Sequence, residues 1–134
     1  MSVVDKPYVS KVLGASEIEA AIREAPAVLR SLIGPDTIIT ATYGYGSGLH
    51  PDICYLPMKV GLKWIEKFLE DSLRQGIVQP ANSDFYLTVP NDRLEIEFCH
   101  DGHIHVGGTD GELVSRLLSL KPYSELHLMQ EKTK

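Results

Sequence analysis

Between Phe85 and Val106, apolar side chains fall at every second position in three short runs: Phe85, Leu87 and Val89; Leu94, Ile96 and Phe98; Ile104 and Val106. Side chains of a β-strand point alternately to opposite faces, so a slip of one residue in either turn would expose a whole apolar run to water. This requirement solves the turns. Pro90-Asn91-Asp92-Arg93 must act as an even-length turn, of two or four residues, to keep the first two runs on one face. In the next turn, a two-residue Asp101-Gly102 loop would set His100 against His103 and scatter apolar groups over both sides. A three-residue loop, His100-Asp101-Gly102 with Gly102 in the left-handed bulge position, instead pairs Phe98 with Ile104 and Ile96 with Val106. That register sets Cys99 opposite His103 and Glu97 opposite His105, with Tyr86, Thr88 and Glu95 extending the same outward face.

The flanking chain supplies helices to cover the apolar side. Ser16-Glu17-Ile18-Glu19 has the form of a capping box, and Ile18, Ile22, Ala25, Leu29, Leu32 and Ile33 follow at helical spacing. Pro26 lacks an amide donor and should kink or restart that helix, and Gly34-Pro35 should end it. Thr37 to Tyr43 reads as a strand. It is followed by the glycine-rich loop Gly44 to Pro51, expected to be a flexible hairpin tip, and by a second strand from Ile53 to Leu56. The stripe Leu62, Ile65, Phe68, Leu69 and Leu73 predicts a helix from Lys59 to Gln75, stopped by Gly76, with Trp64 in the core. Thr109 to Glu112 is a second capping box opening onto Leu113, Val114, Leu117 and Leu118, and a final edge strand is allowed between Tyr123 and Met129. The order predicts an α+β fold, a mostly antiparallel sheet with helices packed on one face, as a single two-layer domain over residues 1–134. Residues 1–14 and 129–134 are expected as flexible ends.

Composition narrows the function classes. With 13 Lys and Arg against 18 Asp and Glu, the net charge of -5 argues against general affinity for nucleic acid, which needs clustered cations. No apolar run approaches the ~20 residues of a membrane helix, and no export signal is evident. The expectation is a soluble, cytoplasmic protein with Cys54 and Cys99 as free thiols.

Three features invite a chemical reading. On the outward face, Glu97, Cys99, His103 and His105 are ligand types that suit zinc or another transition metal. The competing readings of that face are an ordinary solvated sheet surface and a partner-binding surface. The Gly44 to Gly48 loop lacks both the dinucleotide spacing and a Gly-Lys-Ser or Gly-Lys-Thr run, so it is no phosphate cradle. It does present Tyr43, Tyr45 and His50 as aromatic contact area. Cys99 beside His103 raises the idea of a nucleophilic thiol, although an unactivated strand cysteine is the commoner case.

The leading expectation is a small acidic partner-binding protein: a regulator, an inhibitor or a toxin-neutralising, immunity-like protein. It would need no cofactor, and it would use Tyr86, Glu95, Glu97, His103, His105, Tyr45 and His50 against a basic protein partner. Likeness to small bacterial immunity proteins extends to size, charge and class only. Self-association is compatible with this reading. The alternative is a metal-dependent hydrolytic enzyme built on the histidine hairpin, with Glu97, Cys99, His103 and His105 as ligands of zinc or another transition metal.

Overall fold

The three apolar runs form the centre of the sheet in the register that the alternation demands. In the computed structural model, which describes residues 4–48 and 54–130, strands β4 (Phe85–Thr88), β5 (Glu95–Phe98) and β6 (Ile104–Gly107) pair Phe85 with Phe98, Leu87 with Ile96, Ile96 with Val106 and Phe98 with Ile104. Val89 donates its amide to the Leu94 carbonyl at 2.8 Å, which makes the first turn four residues long. Cys99 donates to the His103 carbonyl at 2.8 Å around a three-residue loop in which Gly102 has φ +90°. All eight apolar residues of the runs are buried.

Four more strands extend this meander into a seven-stranded antiparallel sheet: β1 (Tyr8–Val9), β2 (Ile38–Tyr43), β3 (Met58–Gly61) and β7 (Met129–Gln130), in the order β3-β2-β4-β5-β6-β1-β7. Helices α1 (Ala15–Ile33), α2 (Ile65–Arg74) and α3 (Gly111–Leu118) bury their apolar stripes in one core with the inner face of the sheet. The α+β architecture with helices on one face is therefore present. Within the core the rings of Tyr43, Phe85 and Phe98 form a stack, with centroids 5.7 and 6.2 Å apart. Tyr123 is 1% exposed and donates its hydroxyl to the Ala21 carbonyl, tying the C-terminal turn to α1. Among the described residues, no helix is long and apolar enough to cross a membrane.

The element edges differ from the sequence expectation for identifiable reasons. Helix α1 is capped two residues earlier than Ser16: Gly14 is the N-cap, and its amide donates to the Glu17 carboxylate at 3.1 Å. It also continues through Pro26 as one element, with that proline in the buried stripe. Of the strand expected at Ile53 to Leu56, Ile53 lies outside the described residues and residues 54–56 are not in a strand; the described strand is Met58–Gly61, where Met58 and Val60 alternate onto the core side against Ala41 and Ile39. This shortens the helix expected from Lys59, which begins at Ile65. Trp64 becomes its N-cap at 73% exposure rather than a core residue. Asp110, not Thr109, caps α3 by accepting from the Leu113 amide. Of the edge strand allowed between Tyr123 and Met129, only Met129–Gln130 forms, and Tyr123–Glu125 is a short 3-10 turn.

The largest correction concerns the N-terminal segment, expected as a loose end. Strand β1 lies between β6 and β7, pairing Tyr8 with Val106 and Val9 with His105. Beyond it Ser10 exchanges hydrogen bonds with Ile104, and the Leu13 amide donates to the Gly102 carbonyl. Ahead of it the chain crosses the sheet at Gly107. A Cβ there would sit 2.0 Å from the Asp5 carbonyl oxygen and 2.5 Å from Lys6 Cα, so only glycine admits this crossing.

Candidate functional site

The crossing strap changes the character of the outward face. Lys6 Nζ is ion-paired with Glu95, lies 3.2 Å from Glu97 and sits 5.3 Å from the centroid of the Tyr86 ring. Thr88 Oγ1 donates to the second carboxylate oxygen of Glu95 at 2.7 Å. Glu95 is 3% exposed and Tyr86 7%. Burial, reinforced by the charge of Glu97, raises the Tyr86 phenol well above its ordinary pKa. The face read from the sequence as open is thus closed at Tyr86 and Glu95 by a cation from the same chain, and Glu97 is largely covered. Ion pairs this enclosed lose hydration on both partners, so their value depends on the completeness of the contacts, which here is high.

At the end of β4 and β5 the surface is open again. Asp84 Oδ1 accepts from the His100 amide at 2.7 Å and lies 2.8 Å from His100 Nδ1. Tyr45 rests on the His100 ring at a centroid distance of 4.8 Å, and its own side is 62% exposed. The backbone of Tyr45 is fixed at both polar groups: its amide donates to the Tyr55 hydroxyl at 3.1 Å, and its carbonyl accepts from the Asp84 amide at 2.7 Å. The described part of the glycine loop is therefore tied down instead of forming a loose tip. Its glycines serve close approach: a Cβ on Gly46, which has φ +79°, would lie 2.4 Å from the Asn82 carbonyl oxygen. His50 lies outside the described residues.

Around the Cys99 thiol the ligand types assemble differently from the sequence set. The ligand atoms of Asp84, Cys99 and His100 fall within 4.8 Å of one another, and so do those of Cys99, Asp101 and His105. Glu97 belongs to neither group, and its carboxylate lies 3.2 Å from Lys6 Nζ. His103 instead pairs through Nδ1 with Asp101 at 3.0 Å, its ring 6.0 Å from that of His105. Asp84 and Asp101 were missed because both lie just outside strands, where register assigns no face. Burial alone would raise the Asp101 carboxyl, but hydrogen bonds from Cys99 and from the side chain and amide of His103 hold it down at about 2.

A nucleophilic thiol does not emerge from this geometry. Cys99 Sγ lies 3.9 Å from His100 Nδ1, the nitrogen that also faces Asp84. A catalytic relay needs the acid and the thiol on different ring nitrogens. Burial pushes the Cys99 thiol up to about 12, so it is protonated at neutral pH.

The Asp84 hydrogen bond raises the His100 pKa above its ordinary value. The sign follows directly: the pair stabilises the fold fully below the unfolded-state pKa of about 6.5, and that contribution is lost as pH rises through the higher folded value. An NMR titration of the His100 ring should show the raised midpoint, and Asp84→Asn should return it towards 6.5. Comparison of the chain with known protein families, curated proteins and solved structures finds no significant match.

Proposed function

We propose that this chain is a small acidic partner-binding protein, of the regulator, inhibitor or toxin-neutralising kind, whose contact surface centres on Tyr45 and His100 at the open end of the sheet. The observation that carries this reading is a mostly exposed tyrosine whose backbone and ring are already fixed. Large aromatic side chains held in place before association lose little conformational entropy on docking, and they dominate interface energetics. Next in sequence to His100 is Asp101, with a side chain 52% exposed, on a protein of net charge -5, which favours a basic protein partner. His103 stands in the same turn as His100 and His105 just beyond it on β6, whereas Tyr86 and Glu95 are enclosed beneath the strap, Glu95 at the other end of β5. The free thiols of Cys54 and Cys99 suit a reducing, cytoplasmic setting.

A photo-crosslinking residue placed at position 45 tests the reading in cells that make the protein. The expected result is one discrete adduct with a basic protein, reduced by raised salt and absent when the same group replaces Lys67 on the helical side. Identical adducts from both positions, or a smear without a discrete product, would reject it. An adduct between two copies of the chain would replace the basic partner with self-association.

A further inference from the structure

We propose that Cys99, Asp101 and His105 form a binding site for one zinc-class transition-metal ion. The set combines a thiol, a carboxylate and an imidazole, the three side-chain types that zinc takes up, and their ligand atoms already lie within 4.8 Å of one another. Zinc bonds of about 2.0 to 2.3 Å in a tetrahedral arrangement bring ligand atoms to roughly 3.3 to 3.8 Å apart, so closure needs movements of about an ångström. The framework supplies one rigid side and one adjustable side. Cys99 and His105 are set by the β5–β6 ladder, through the Cys99 amide to the His103 carbonyl and the pairing of Glu97 with His105. Asp101 stands in the three-residue loop with its side chain half exposed and its Oδ1 bonded to the amide and ring of His103 at 3.2 and 3.0 Å, so the loop carboxylate is the ligand that must shift to close the set.

The neighbouring group of Asp84, Cys99 and His100 is the weaker candidate, because two of its own members, Asp84 and His100, are already bonded to each other through both the amide and the ring of His100, whereas the histidine bonded to Asp101, His103, stands outside the favoured set. In the favoured site Asp101 trades its hydrogen bond from the thiol for the metal. The Cys99 sulfur bonds to the metal as its proton passes to solvent. His103, bonded to Asp101, is a positioning residue that orients the carboxylate. Three protein ligands leave a fourth position for water or for a group from a partner.

Titration of the untagged protein with cobalt(II), followed by zinc displacement, tests the site directly. The parent and Cys54→Ser should each take up a single equivalent with a thiolate-to-cobalt charge-transfer band and tetrahedral d–d absorption. Cys99→Ser, His105→Ala and Asp101→Asn should lose the band. Asp101→Asn, in an exposed loop, keeps the test interpretable if a strand variant misfolds. His103→Ala should weaken binding about 10- to 100-fold. A parent protein without the band at stoichiometric cobalt would overturn the proposal. So would a band that survives in His105→Ala and vanishes in His100→Ala, since that would place the metal on the Asp84 side.

Discussion

Replacing Glu95 by Lys should leave little folded protein, with a loss at or above about 3 to 5 kcal/mol, the range for breaking a buried charge pair. The carboxylate is 3% exposed and meets Lys6 and Thr88, so the variant would bury two cations together and leave the Thr88 hydroxyl without its acceptor. Against a total stability of roughly 5 to 15 kcal/mol for a domain, such a loss decides whether the chain folds. Urea unfolding would measure it. Reversing both charges, Lys6→Glu with Glu95→Lys, should recover a substantial part of the loss, although Glu97 at 3.2 Å then faces a like charge. A single Glu95→Lys variant as stable as the parent would mean that the strap does not close this face.

The second large effect is expected at Phe98. Phe98→Ala should cost about 3 to 5 kcal/mol, seen as a lower urea midpoint with an unchanged slope. Phe98 is 1% exposed, stacks on Phe85 and lies between Phe85 and Ile104 in the ladder, so truncation opens a cavity that three rigid strands cannot collapse. Glu97→Ala, one residue away and on the other face, should cost less, because Lys6 keeps Glu95.

The contrast between neighbours shows which parts of the molecule the chain announces. Register is quantised: Ile96 either faces the core or faces away, and the apolar alternation selects one solution for both turns. The Cys99–His103 and Glu97–His105 juxtapositions follow from it. The strap does not announce itself. Tyr8–Val9 is too short for any alternation, and Lys6 meets Glu95 across 89 residues of chain, a contact no local pattern encodes. The glycine loop was ambiguous for another reason. Glycine serves both mobility and close backbone approach, and at Gly46 only the position of Asn82 decides between them. Likewise Cys99 and His105 were legible as candidate ligands from strand pairing. Asp101 lies in a loop, where the conformation of the turn and not strand pairing decides its position.

Tyr45 is the centre of the proposed binding surface. With the crosslinked partner purified, its affinity for Tyr45→Ala should fall by about 30-fold or more, equivalent to a hot-spot loss of about 2 kcal/mol. Folding stability should change by less than about 1 kcal/mol, since the ring is 62% exposed. An unchanged dissociation constant for Tyr45→Ala, measured on a variant of parental stability, would contradict the assignment of this end of the sheet as the binding surface.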